Sequence, residues 1–173
     1  MKVVFKLIAY MIVVVTIFKV NTEDRMIMLG EVRSYGAVIL AAHDAAVLNK
    51  SREAEGYIVF DEPVGTIRFR ESLIHNLGLN PDMTPKNTAV FSGEIKVVGL
   101  YFVGDDKVPH DPMGRPIYPY SFVQNTTYRG SPITVREQLF GPSVVALIEV
   151  PLNTESKPVQ IKTAVYRYLD KRL

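Results

Sequence analysis

The stretch that decides the fold covers residues 1–56, MKVVFKLIAYMIVVVTIFKVNTEDRMIMLGEVRSYGAVILAAHDAAVLNKSREAEG. Its first part, Val3 to Val20, is apolar except for two lysines and a threonine. The uncharged run from Leu7 to Phe18 is short for a membrane span and typical of the core of a signal peptide. However, lysines near the ends of a helix can reach the interface, which extends the usable apolar segment toward the roughly 20 residues that a bilayer requires.

The residues after the apolar run argue against cleavage. A secretory signal ends in two small residues separated by one position, whereas residues 16–25, TIFKVNTEDR, contain no alanine or glycine. We therefore favour a retained segment over a cleaved signal. Lys2 and Lys6, with no acidic residue nearby, favour an N-terminus on the cytoplasmic side and the remainder of the chain outside.

The helical pattern continues beyond the apolar run. Residues 21–55 contain no proline, and Gly56 suits a C-terminal cap. We predict one nearly continuous helix over residues 3–55, about 80 Å long. Apolar residues recur along it at spacings of three and four, which places them on one face: Met28, Val32, Tyr35, Ile39, Ala42 and Ala46.

A stripe of small residues, Ala37, Ala41 and Ala45, adjoins this face and permits close approach of a neighbouring helix. A helix of the predicted length cannot be covered along its whole length by so small a chain. Its first half must lie in lipid, in a partner or against copies of itself. The alternative is a membrane-tethered domain that uses the helix as a stalk.

A second, shorter helix is predicted after a short strand at residues 57–60. Asp61 suits its N-cap, Pro63 its first turn and Gly78 its end. Its apolar face would consist of Ile67, Phe69, Leu73, Ile74 and Leu77.

The remaining residues have the composition of strands. Residues 89–104 predict one strand, residues 117–123 a broken or edge strand because of Pro119, and residues 141–152 a buried strand. Residues 157–169 alternate, and form an antiparallel hairpin with the preceding strand; one face carries Val159, Ile161, Thr163 and Val165. The predicted class is α+β: a long N-terminal helix of transmembrane type (residues 1–55) followed by a head domain (residues 56–173) with a small antiparallel sheet of four or five strands and one short helix.

Composition and spacing give no catalytic pattern. The net charge is +2 with no basic patch, which argues against a nucleic-acid partner, and the chain has no cysteine. The three histidines, His43, His75 and His110, match no metal-ligand spacing. The acidic loop with Asp105, Asp106 and Asp111 is more typical of a solvated loop than of a metal site, and Ser143 lacks the glycines of a nucleophile elbow. We expect no enzyme, no cofactor and no metal.

Three stretches resemble a known family: AVILAAHDAAVLNKSREAEG (37–56), YIVFDEPVGTIRFRESLIHNLGLN (57–80) and GPSVVALIEVPL (141–152). With the long N-terminal helix before an antiparallel sheet, they make the chain similar to the TadE-like proteins of tight-adherence (Flp-type) pilus systems, and to type IV pilins in general. The resemblance implies assembly into, or on, a surface filament. The peptidase site of type IV pilins is not matched, because no glycine precedes Val3 and the first acidic residue is Glu23.

These observations predict a structural, non-enzymatic, pilin-like subunit of an extracellular filament, held in the cytoplasmic membrane before assembly. Copies of the chain, or other pilins, would pack through the N-terminal helix, and the residues expected to carry this packing in its first part are Val4, Leu7, Ile8, Met11, Val15 and Phe18. The alternative is a membrane-anchored extracellular binding or pilus-assembly module that does not polymerise. A secreted enzyme that uses the acidic loop is a third possibility.

Overall fold

The long N-terminal helix leads into an α+β domain, as the sequence predicts. The computed structural model describes residues 2–155 and 159–169. Its helices are α1 (Lys2–Ala45), α2 (Lys50–Ala54), α3 (Glu62–Leu77) and a 3₁₀ turn (Asp105–Lys107). Its strands are β1 (Lys96–Val103), β2 (Tyr120–Tyr128), β3 (Ser131–Leu139), β4 (Ser143–Pro151) and β5 (Val159–Arg167).

Helix α1 ends at Ala45, ten residues before the predicted end. After it, the chain turns back onto the segment that leads into α3: the Asn49 amide donates to the Val59 carbonyl and the Asp61 amide to the Val47 carbonyl, each at 2.8 Å. Asn49 then caps α2 by accepting a hydrogen bond from a backbone amide. Asparagine is a preferred N-cap, so this residue starts a new helix where the pattern predicted continuation. The strand predicted at residues 57–60 is reduced to an isolated bridge.

Helix α3 confirms its predicted boundaries. The Asp61 carboxylate accepts a hydrogen bond from a first-turn amide, and Gly78 closes the helix in the left-handed conformation at φ 66°. The predicted apolar face is wrong at Ile67, which is 60% exposed. Two small residues, Gly65 and Ser72, lie on the buried face because the helix packs closely against the end of α1.

The five strands form two sheets where the sequence predicted one. A three-stranded antiparallel sheet has the order β1-β4-β5, and β2 pairs with β3 in a separate antiparallel hairpin. Strand β3 was not predicted, because it buries only Val135 and Leu139 among polar residues. Helices α1 and α3 cover one face of the three-stranded sheet, and the β2–β3 hairpin covers the other.

Strand β4 is buried on both faces, which explains its uninterrupted apolar run. Ala146 and Ile148 belong to the core beneath the helices, whereas Val145 and Leu147 belong to the core beneath the hairpin. The exception is Glu149, which is buried and forms an ion pair with Arg129 from the turn of the β2–β3 hairpin at 2.6 Å.

Strand β5 alternates as predicted and pairs with β4. The face of β5 toward α1 carries both apolar and polar residues. Ala164 belongs to the core beneath the helices, and Gln160 and Lys162 contact the carboxylate of Glu31. Within the predicted hairpin turn, residues 156–158 lie outside the described residues.

Candidate functional site: the surface of helix α1

The first part of α1 has no cover from the described part of its own chain. Every residue from Lys2 to Thr22 is exposed. The six residues predicted to carry assembly here are between 50% and 74% exposed: Val4, Leu7, Ile8, Met11, Val15 and Phe18. Large apolar side chains are normally buried, so this segment requires lipid, a partner or another copy around it.

Among the described residues, α1 is the one helix long and apolar enough to cross a membrane. Its most apolar window of 18 residues has a mean hydropathy of 2.3, and none of that window is buried. The first ion pair that the described residues form between α1 and the domain is that of Lys19, whose ammonium lies 2.8 Å from the Glu155 carboxylate. The free segment before Lys19 is thus about 25 Å long, close to the thickness of the hydrocarbon core.

Small residues form most of the face of α1 that packs on the domain, together with Val38: Gly30, Ser34, Ala37, Val38, Ala41, Ala42 and Ala45. A Cβ atom at Gly30 would lie 2.5 Å from Leu152 Cδ2, so a larger residue there would require the Leu152 side chain to move. The Ser34 hydroxyl donates within the helix to the Gly30 carbonyl at 2.6 Å, which satisfies a buried polar group.

The predicted apolar stripe on the second half of α1 divides into two parts. Met28, Val32 and Tyr35 are 68%, 63% and 52% exposed, so they face away from the domain. Ile39 is partly buried against the core and Ala42 is fully buried, which corrects the prediction of one continuous face for packing with other helices. A strict 3.5-residue repeat drifts around a helix of 3.6 residues per turn, and the drift turns the stripe into the domain. The last member, Ala46, follows the end of the helix.

The sequence predicted close packing at Ala37, Ala41 and Ala45 and left Gly30 open between a bend and a close crossing, whereas Ser34 was not predicted. Neither is apolar, so a search for hydrophobic periodicity passes over both. Their spacing carried the signal, because the series 30, 34, 37, 41, 45 follows the same three-and-four pattern as a helix face and consists of small residues alone.

A polar cluster joins α1 to α3. The Ser72 hydroxyl donates to Asp44 Oδ2 at 2.7 Å, and His43 Nδ1 lies 3.0 Å from Asp44 Oδ1. Partial burial disfavours the charged carboxylate, but the hydrogen bond from Ser72 and the contact with His43 outweigh it and hold the pKa of Asp44 below its ordinary value. The serine contacts the carboxylate and not the imidazole, so this geometry supplies no serine activated by a histidine.

The acidic loop is divided between separate structural contacts. Asp105 is buried and accepts hydrogen bonds from the Ile58 amide at 2.7 Å and the Tyr118 hydroxyl at 3.2 Å. Burial, together with the Asp105 carboxylate, raises the pKa of Tyr118, so its hydroxyl keeps its proton and donates it. Asp111 pairs with Arg115. In residues 2–155 and 159–169, no three histidine or acidic side chains come close enough to hold a metal ion.

Comparison of the chain with protein-family models, with curated proteins and with solved structures finds no match.

Proposed function

We propose that this protein is a structural, pilin-like subunit of an extracellular filament, and that it assembles through the N-terminal part of α1. The observation that carries the proposal is the exposed apolar segment of residues 3–18, which continues without a break into the helix that packs on the domain. A filament core made of such segments would cover them, while the α+β domains face outward.

Burial energy requires an apolar environment around this segment, which either the membrane or a filament core supplies. Covering a valine, isoleucine, leucine or phenylalanine side chain contributes about 1.5–3 kcal/mol relative to leaving it in water. Before assembly, the same segment is held in the cytoplasmic membrane, with Lys2 and Lys6 on the cytoplasmic side. Transfer from lipid to filament then exchanges one apolar environment for another.

The test is a polar substitution in the middle of the free segment. Val15→Asp places a charge among side chains that the filament core would bury, and we expect filaments to disappear from sheared cell-surface material examined by electron microscopy and mass spectrometry. Val15→Leu is the matched control and should assemble. Filaments that contain the Val15→Asp protein at normal length would overturn the proposal.

The second candidate is a membrane-anchored extracellular binding or assembly module that does not polymerise. One observation favours it: Lys6 lies inside the apolar segment, where a filament core would have to bury its charge, whereas a membrane anchor lets it reach the interface. Under this alternative, sheared surface material contains no filaments of the protein, and all of the protein stays in the membrane fraction.

A further inference from the structure

The side of α1 that faces away from the domain carries a heptad seam, which we define as the residues at positions a and d counted from Val4. We propose that two copies of the chain pair along this seam, from Val4 to Tyr35, as a parallel, in-register, left-handed two-stranded coiled coil. The proposal rests on the proposed function for one point: membrane insertion with one orientation makes the two helices parallel.

The apolar part of the seam has the pattern that a coiled coil requires. Residues at spacings of three and four, each at least 45% exposed, run through the free segment and reappear on the outer side of the docked segment. In the free segment they are Val4, Leu7, Met11, Val14 and Phe18. Met28, Val32 and Tyr35 continue the same register above it. A 3.5-residue repeat of this length favours left-handed winding of two helices.

The domain limits the seam at one end and leaves it open elsewhere. Within the length of the seam, the buried residues of α1 are Gly30 and Ser34, at heptad positions f and c, away from the seam. Val38, at position g, flanks the seam just beyond its last residue, Tyr35. The next seam positions after Tyr35 are Ile39 and Ala42. The chain's own domain partly buries Ile39 and fully buries Ala42. Two copies can therefore meet between Val4 and Tyr35 with both domains on the outside.

The occupant is a second copy because the seam complements itself in charge. Its one charged position is Arg25, at position a, and Asp24 precedes it at position g. In a parallel pair, a residue at position a packs beside the preceding g residue of the other helix. Arg25 of each copy thus meets Asp24 of the other, which forms two symmetric ion pairs.

Other charged residues of α1 contact the chain's own domain. Lys19 contacts Glu155, Glu31 contacts Lys162, and Arg33 lies over the ring of Phe91. Within the described part of the chain, Asp24 and Arg25 are exposed and take part in no ion pair or side-chain hydrogen bond. Asn21, at position d one turn below, adds a polar seam residue of the kind that fixes the alignment of paired helices.

Cysteine cross-linking tests the pairing directly, because the natural chain contains no cysteine. Single variants Met28→Cys and Val32→Cys of the full chain, in native membranes, are treated with a short reagent that joins two thiols. We expect several-fold more cross-linked dimer than for Leu40→Cys, a position off the seam that is 51% exposed. Equal cross-linking of Leu40→Cys and Val32→Cys would overturn the proposal.

Alignment is tested by mixing variants. Cells that express Met28→Cys and Tyr35→Cys together, with distinguishable tags, give mixed dimers only if the helices are displaced by one heptad, about 10 Å. We expect each variant to cross-link with itself. Mixed dimers in the absence of like-with-like dimers would replace the in-register pair with a staggered one and overturn the proposal.

Charge exchange tests the Asp24–Arg25 contact. In the Val32→Cys background, Asp24→Arg alone and Arg25→Asp alone each place like charges together and should lower the yield of dimer. The double exchange should restore it. Undiminished yield in both single variants contradicts the proposed pairing. Electron microscopy of the same strains separates the two proposals. Filaments without seam cross-links would contradict the dimer and leave the filament proposal standing. Cross-linked dimers without filaments would contradict the filament and leave the dimer proposal standing.

Discussion

The two halves of α1 belong to one unbroken helix but differ in packing: the first is exposed, and the second packs against the domain. Residues 2–18 are mostly large, often β-branched and entirely exposed, whereas residues 30–45 bury seven residues against the domain, all of them small except Val38. The size of the side chains decides the outcome. Small residues let α3 and the sheet come close to the helix axis, and the large ones keep their apolar surface for an environment outside the chain.

Backbone preference adds to the difference. Residues 12–17, IVVVTI, are all β-branched and lower helix propensity in water. In lipid or in an apolar filament core, every backbone polar group must be bonded within the segment, so the helix is the required conformation there. The free half thus depends on its surroundings for its structure, while the docked half depends on the domain.

The same substitution in the two halves should have opposite consequences. Val38 is fully buried in the docked half, and Val38→Asp would place an unpaired polar group in the core at a cost of at least about 3 kcal/mol. We expect the domain to unfold or become protease-sensitive in detergent solution. Val15→Asp should leave the domain protected but weaken membrane insertion by about 2.5–3.5 kcal/mol.

Limited proteolysis and carbonate extraction of membranes separate these effects. Val38→Ala and Val15→Ala provide uncharged controls that truncate the same two side chains. If Val15→Asp makes the domain as protease-sensitive as Val38→Asp does, the two halves are not independent and the comparison fails.

Glycines sharpen the contrast between close contact and open surface. A Cβ atom at Gly65 would overlap the Ala45 carbonyl oxygen and lie 2.6 Å from Phe102 Cε1, so Gly65→Ala should destabilise the domain by about 1–3 kcal/mol. At Gly36, on the outer side of α1, nothing lies within 4 Å of the added atom, and Gly36→Ala should stabilise the helix by about 0.5–1 kcal/mol. Urea unfolding monitored by circular dichroism measures both, and destabilisation by Gly36→Ala would show that its outer side is not open.

The sequence predicted the parts of the fold whose signal is local. The β4 run, the Asp61 cap and the Gly78 stop depend on neighbouring residues and are confirmed. The end of α1 was wrong because helix propensity continues through residues 46–55, while tertiary hydrogen bonds of Val47 and Asn49 favour a turn. Strand β3 was missed because its pairing with β2, and not its own apolar content, makes it a strand.

The candidate surface was predictable in the free half and less so in the docked half. In the free half, the long apolar run by itself indicates the exposed surface, because the described domain does not cover it. In the docked half, periodicity identified the outer stripe and left out Gly30 and Ser34, which are buried against the domain. Which of two faces of a helix turns inward depends on the shape of the sheet and of α3, which a helical pattern does not contain.

A polar contact strengthens the docked half and should respond to acid. Ser72→Ala removes the hydrogen bond to Asp44 and should cost about 0.5–1 kcal/mol, less than is usual for a bond to a charged group because the carboxylate is half exposed. The pKa of Asp44 is held below its ordinary value, so its contribution is complete above about pH 4 and is lost as the pH falls through the lowered pKa. Denaturation of wild type and Ser72→Ala at pH 7 and pH 3 should show the difference shrinking in acid. Thr66→Ala, which removes a hydroxyl bonded within α3, should show no such change with pH.

The smallest effect is expected where the two halves meet. Lys19 and Glu155 are 59% and 80% exposed, so their ion pair should add little to stability, although it marks the point at which the helix leaves the domain. The hydrogen bond from Lys19, and its charge, hold the pKa of Glu155 below its ordinary value. Any contribution of the ion pair to folding stability is therefore complete above the ordinary pKa of a glutamate and is lost as the pH falls through the lowered pKa. We expect Glu155→Gln to leave the unfolding midpoint at pH 7 almost unchanged. If the midpoint falls as far as it does for Ser72→Ala, the Lys19–Glu155 ion pair stabilises the domain as much as the Ser72–Asp44 hydrogen bond does. The free segment of α1 would then be shorter than residues 2–18.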